Sequence, residues 1–135
     1  MIEWDDEKYS VGISKIDSEH KKFIDTINKA ILVDQNSNHP KEDVMEVLNE
    51  MKEYADTHFA TEETYMVKFN YSDYESHRKK HQDFIIETTA FFDKITNGDR
   101  QLISEILEHL KSWLVNHIQD TDAKYASCFK EHGLN

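Results

Sequence analysis

Apolar residues recur along most of this chain at steps of three and four, the spacing that lines one face of an α-helix. Ile16, His20, Phe23, Ile24, Ile27 and Ile31 form the first such stripe, behind an N-terminal loop that runs to about Asp17. The polar run from Asp34 to Pro40 interrupts it. Pro40 suits a first helical position, and Glu42 and Asp43 complement the positive end of the helix dipole behind it. Val44, Val47, Leu48, Met51, Ala55, His58, Glu62, Met66 and Phe69 mark one face of a second helix. Ser72-Asp73-Tyr74-Glu75 reads as a capping box opening a third, whose inner face carries Tyr74, His77, His81, Phe84, Thr88, Phe91 and Ile95. Asn97-Gly98-Asp99 ends that helix and starts a fourth, with Leu102, Ile106, Leu110, Trp113 or Leu114, and His117 facing inward. A short helical stretch from Thr121 to His132 follows. No segment alternates with the period of a strand. The pattern predicts an all-α fold: an up-down-up-down four-helix bundle with an N-terminal loop and a short C-terminal helix.

Composition narrows the setting. A length of 135 residues suits one domain over 1–135, large enough to bury a core without a disulfide. The formal net charge of −11 repels nucleic acid and anionic membrane alike, so neither is expected as a partner. Cys128 is the only cysteine, which excludes an intramolecular disulfide and fits a reducing compartment. The acidic start Met1-Ile2-Glu3-Trp4-Asp5-Asp6-Glu7 has no apolar run behind it, unlike a targeting peptide. No stretch approaches the ~18 apolar residues of a membrane span, so no membrane insertion is expected. The expected location is the cytoplasm.

The informative residues are polar ones on the apolar faces. His20, His58, His77, His81 and His117 all fall on inward stripes, as does Glu62, four residues after His58. His77 and His81 are also four apart, the spacing that points two side chains of one helix at one ion. Asp122 lies five beyond His117, where a short turn could swing it back. A single histidine on such a face is ordinarily a satisfied core residue. Five histidines and two carboxylates in one core are not, because without a cation each buried polar or charged group costs on the order of several kcal/mol.

Seven donors exceed the four that a tetrahedral zinc takes. Two octahedral ions that share both carboxylates and one oxo or hydroxo bridge use every donor and leave one position open. That describes a dinuclear centre able to take one small ligand. Imidazole and carboxylate suit iron, and ligand type alone leaves manganese open. Five neutral imidazoles should stabilise the ferrous state better than the carboxylate-rich centres of other bundles do.

The ordered set His20, His58-x-x-x-Glu62, His77-x-x-x-His81 and His117-x-x-x-x-Asp122 resembles the ligand set of the hemerythrin family, and most of all its single-domain bacterial members, the bacteriohemerythrins. Trp4, Val11-Gly12-Ile13 and Ile16-Asp17-x-Glu19-His20 upstream, and Trp113-Leu114-Val115-Asn116-His117-Ile118 downstream, extend the likeness over nearly the whole chain. The resemblance implies two non-haem iron ions bridged by oxo or hydroxo, one held by His77, His81 and His117 and the other by His20 and His58. Glu62 and Asp122 would bridge them. It further implies that dioxygen binds at the two-histidine iron, in a dry pocket lined by Phe59, Trp113, Leu114, Ile118 and Tyr125.

Reversible dioxygen binding for storage, transport or delivery is therefore the expected function, with an oxygen-consuming enzyme as a conceivable recipient. Oxygen sensing through a partner protein, or a di-iron enzyme consuming peroxide or nitric oxide, are the alternatives. No additional acid or base is evident beside the open position, so catalysis is not expected. His39, His109 and His132 read as solvated residues, and Cys128 as a semi-buried one.

Overall fold

The computed structural model describes residues 1–98 and 100–135; Asp99, read above as part of the turn into the fourth helix, lies outside the described residues. A one-turn helix α1 (Asp6–Tyr9) precedes four long helices: α2 (Ser14–Asn36), α3 (Pro40–Lys68), α4 (Tyr74–Asn97) and α5 (Arg100–Asn116). The chain then widens into a π-helical segment, His117–Asp122, tightens into a 3₁₀ turn, Ala123–Tyr125, and ends in α6 (Ala126–Glu131). The short links make successive long helices antiparallel, and α2 and α4 each pack against both α3 and α5. The predicted all-α, up-down-up-down bundle is the observed one. No described helix is long and apolar enough to cross a membrane.

The helix ends differ in detail from the sequence pattern, for local reasons. The N-terminal segment is partly helical, and α2 begins at Ser14, ahead of Asp17, whose carboxylate accepts the backbone N–H of Val11 at 2.8 Å. Gly12 forms the bend between them at φ +74°, a conformation that glycine adopts without strain. At its other end α2 runs through Asp34 to Asn36, past the start of the polar run. Asp34 is buried there and accepts the Ser104 hydroxyl at 3.0 Å, so a polar residue extends the inward face instead of breaking it.

Pro40 does open α3, with Glu42 and Asp43 in its first turn. Its end is a Schellman motif: Asn70 takes φ +53°, Tyr71 N–H bonds to the Met66 carbonyl and Asn70 N–H to that of Val67. The capping box at Ser72–Glu75 does not form. Asp73 occupies the cap with φ −98° and ψ 19°, outside the extended region that lets a cap side chain reach back.

Two apolar clusters result. The larger fills the bundle with Phe23, Ile27, Leu48, Met51, Phe84, Ile95, Ile103 and Leu110 among others. On α5 the buried face is Ile103, Ile106, Leu107, Leu110 and Leu114, with Leu102 and Trp113 only partly covered. The smaller cluster caps one end and joins Val11 and Ile13 of the N-terminal segment to Ile16, Met66, Tyr125 and Phe129.

Truncating Ile103, fully buried, to alanine should cost about 2–5 kcal/mol in urea unfolding of the metal-free protein. The same change at Ile86, 68% exposed on α4, should stay within about 0.5 kcal/mol. Equal losses at the two positions would contradict the assignment of the buried faces.

Candidate metal centre

The antiparallel order explains how residues far apart in sequence meet. His20 lies near the start of α2, His58 and Glu62 near the end of α3, and His77 and His81 near the start of α4. His117 begins the segment that follows α5. Starts of α2 and α4 stand beside ends of α3 and α5, so all these positions fall at one level between the two apolar clusters.

Asp122 reaches the same level because its segment is π-helical. An ordinary α-helical turn brings residues three or four apart onto one face. The wider i→i+5 turn aligns residue 122 with residue 117, and π-segments of this kind are often found at functional sites. The two side chains meet with His117 Nε2 3.0 Å from Asp122 Oδ1.

All seven residues that the sequence singles out as metal donors are buried and brought together. Their donor atoms sort into two overlapping groups, each with all members within 4.8 Å of one another: Glu62, His77, His81, His117 and Asp122, and His20, His58, Glu62 and Asp122. Both carboxylates belong to both groups. Asp122 presents Oδ2 to His20 Nε2 at 2.9 Å and Oδ1 to His77 Nε2 at 2.9 Å. Glu62 Oε1 lies 3.0 Å from His58 Nε2 and 3.6 Å from His81 Nε2.

Where the facing ring nitrogens carry no proton, these short contacts are not hydrogen bonds. Both carboxylate oxygens of Glu62 and of Asp122, both ring nitrogens of His20, and His77 Nε2 are buried without a hydrogen-bond partner. Buried polar atoms are nearly always paired. So many buried nitrogen and carboxylate donors converging at one level fit a pair of bound cations.

The electrostatics agree. Burial works against charge on His58, but the Glu62 charge and close contacts with Glu19 and Glu62 push its pKa up to about 10. Carboxylates flank both ring nitrogens, so the metal-free imidazole carries both protons. Burial and the neighbouring Asp122 raise the pKa of Glu62, yet His58 and His20 bring it below the usual value. Asp122 is held well below its ordinary range: burial opposes this, and His117, His20 and His77 outweigh it. His81 moves the other way, its pKa lowered by burial despite the contact with Glu63.

Four of the five residues named as pocket lining fall on the side of the larger cluster. Phe59, Leu114 and Ile118 are buried there, and Trp113 packs against them partly covered. Phe59 stacks on His81 with ring centroids 3.8 Å apart, and Trp113 on His117 at 4.4 Å. Tyr125 lies on the opposite side, in the end cap, stacked on His77 at 5.6 Å. Its buried hydroxyl has no hydrogen-bond partner, and burial together with the charges of Glu62 and Asp122 raises its pKa well above the ordinary value.

Two residues escape the sequence reading of the site. Glu19 Oε1 lies 2.8 Å from His58 Nδ1, and Glu63 Oε2 lies 3.1 Å from His81 Nδ1. Each is the chain neighbour of a donor, off the inward stripe, which is why periodicity does not find it. His109 pairs with Glu87 at the surface, and Cys128 is partly buried beside the Phe69 carbonyl, both away from the donors.

The chain is similar to known proteins along most of its length. The family model of the Hemerythrin HHE cation binding domain matches residues 11–129. A bacteriohemerythrin of Clostridium acetobutylicum is 33% identical over 128 residues, covering 93% of this chain and 98% of that protein. One of Pseudomonas aeruginosa is 32% identical over 127 residues, covering 94% and 80%. A crystal structure of wild-type hemerythrin shares the fold with a TM-score of 0.83, at 23% identity, covering 96% of this chain and 98% of that one.

The raised pKa of His58 gives the metal-free protein a pH signature. Unfolded, the ring titrates near 6.5, and folded near 10, so its contribution to stability is complete below pH 6.5 and lost as pH rises through 10. The depressed carboxylates act in the opposite window, stabilising above their ordinary range and ceasing to do so as pH falls. The metal-free melting temperature should therefore drop between pH 6.5 and 10. The zinc-loaded protein, in which His58 no longer holds the second proton, should not show that drop. A metal-free melt that is flat across the window would rule out the doubly protonated ring.

Proposed function

The chain belongs to the hemerythrin family, and we propose that it binds dioxygen reversibly at a non-haem di-iron centre, with residues 1–135 acting as one domain. The observation that carries this reading is the sorting of seven buried donors into a three-histidine and a two-histidine group that share both carboxylates. His77, His81 and His117 would hold one iron, His20 and His58 the other, and Glu62 and Asp122 would bridge them. Two iron ions held there would supply the redox chemistry of reversible dioxygen binding, and the two-histidine position has the fewer protein donors.

The chain's own residues make that position selective. Five histidines and two carboxylates, rather than a carboxylate majority, favour the ferrous state from which release is possible. Phe59, Leu114 and Ile118 are buried on the larger-cluster side, and with Trp113 they form an apolar wall that excludes water. A small apolar molecule crosses such a wall more readily than water or a hydrated anion does. Tyr125 covers the other side and keeps its hydroxyl proton, because burial, with the adjacent Glu62 and Asp122 charges, opposes its ionisation. The non-donor groups of the apolar wall offer no general acid or base, which favours binding over turnover. Storage or delivery in the cytoplasm, to an oxygen-consuming enzyme in the latter case, is the role we assign.

The test begins with metal content and the visible spectrum of protein reduced without air and then exposed to it. Two irons per chain and a colour that comes with oxygen and goes when it is removed are the expected results. Two irons with oxidation that cannot be reversed by removing oxygen would favour an enzyme or sensor.

Leu114→Ala thins the apolar wall three residues before His117. It should speed the irreversible loss of the oxygen-binding form several-fold while leaving two irons per chain. Unchanged loss, followed by the same spectrum, would remove Leu114 from that wall.

A further inference from the structure

In each donor group, one imidazole is gripped from behind by a carboxylate that is not itself among the donors. Glu19 holds His58 Nδ1 at 2.8 Å in the two-histidine group, and Glu63 holds His81 Nδ1 at 3.1 Å in the three-histidine group. An ionised carboxylate only accepts, so Nδ1 must be the donor in each pair. Once the ring is neutral, as a metal ligand must be, Nε2 has its lone pair free on the side of the shared Glu62.

The two grips are built alike. Glu19 adjoins His20 on α2 but serves a ring on α3, while Glu63 adjoins Glu62 on α3 but serves a ring on α4. Adjacent helical residues point about 100° apart, so when a donor faces the interior its neighbour lies at the seam with the next helix. An aromatic ring also lies parallel to each gripped imidazole: Tyr54 to His58 at 6.3 Å and 9°, Phe59 to His81 at 3.8 Å and 4°. Tyr54 further donates its hydroxyl to the Glu19 carbonyl at 3.2 Å. Among the described residues, no carboxylate other than the donor Asp122 contacts a ring nitrogen of His20, His77 or His117, apart from the shared Glu62.

The two carboxylates are 17% and 23% exposed, so water screens them only in part. They differ in company. Arg78 Nε lies 3.7 Å from Glu63 Oε1 and offsets some of its charge. Among the described residues no lysine or arginine pairs with Glu19.

We infer that Glu19 and Glu63 are positioning residues, one for each metal position, which fix the tautomer of a ligand histidine and place negative charge behind it. Both effects strengthen metal binding, and the charge favours the higher oxidation state. Glu19, with no cation to offset it, exerts the stronger pull, and Arg78 tempers Glu63. This rests on the metal-centre reading but concerns residues outside the donor set.

The test uses the full chain freed of metal, titrated with cobalt(II), and then the iron-loaded protein, whose midpoint potential is measured. The wild type should take two cobalt ions. Glu19→Gln and Glu63→Gln retain an acceptor for Nδ1–H and lose the charge. Each should weaken one cobalt equivalent by on the order of tenfold while sparing the other, and each should raise the potential, Glu19→Gln more. Glu19→Ala and Glu63→Ala lose orientation as well, and should weaken the same equivalent by up to about 100-fold. Arg78→Gln should move the potential the opposite way to Glu63→Gln. Melts of the metal-free variants check that each still folds, and the Gln variants carry the test if the Ala ones do not.

Two tight cobalt ions and an unchanged potential in both Gln variants would overturn the inference. So would equal weakening of both ions by either Gln variant, since it removes the assignment of one carboxylate to one position. A wild type that takes up neither cobalt nor iron would instead refute the metal centre itself.

Discussion

Burying seven polar donors at one level of a helical bundle is unfavourable, and the rest of this structure is arranged around that fact. Glu62 and Asp122 are almost entirely removed from water, and all four of their carboxylate oxygens lack a hydrogen-bond partner. Two uncompensated carboxylates in a low-dielectric interior would weigh heavily against a domain whose net stability is only about 5–15 kcal/mol. In the metal-free protein His58 shares the burden by holding a second proton. With cations bound, the same oxygens and nitrogens become ligands. One set of residues thus serves as a strained ion-pair network or as a metal cradle, and the second state relieves the first.

The bundle contributes direction. Antiparallel helices bring the beginnings of two elements beside the ends of two others, so donors distant along the chain share one level without any long loop. Apolar clusters above and below then seal it. The larger provides the hydrophobic mass of the domain, and the smaller joins the N-terminal segment, the 3₁₀ turn and α6 into a lid. This explains why the ends of the chain are ordered into packing positions: Val11, Ile13 and Phe129 close the level that Ile16 and Met66 border from within.

The inward faces of the four long helices were legible in the sequence because helical periodicity reports burial directly. So were six of the seven candidate donors, because polar residues on those faces violate the pattern that identifies them, whereas Asp122 lies beyond the last face. The boundaries were less legible. Asp34 reads as a helix breaker by type, yet it lies buried against Ser104, a contact with a residue 70 positions away. Ser72 to Glu75 has the letters of a capping box, but Asp73 takes the cap position with a backbone outside the extended region and no side-chain cap bond. Glu19 and Glu63 were hidden for a different reason. Each lies at a helix seam, and what it touches depends on the neighbouring helix.

Sequence alone therefore determined the fold class, the polar residues that converge in the core and their division among elements, since these follow from period, spacing and residue type. Tertiary structure decided which donors share an oxygen, how the π-helical segment returns Asp122 to His117, which side of the centre Tyr125 covers, and which histidines are backed by a second carboxylate. The physical reason is the same in each case. Hydrophobic period is a property of one helix, whereas distances of about 3 Å between donors on different helices are set only when the elements pack.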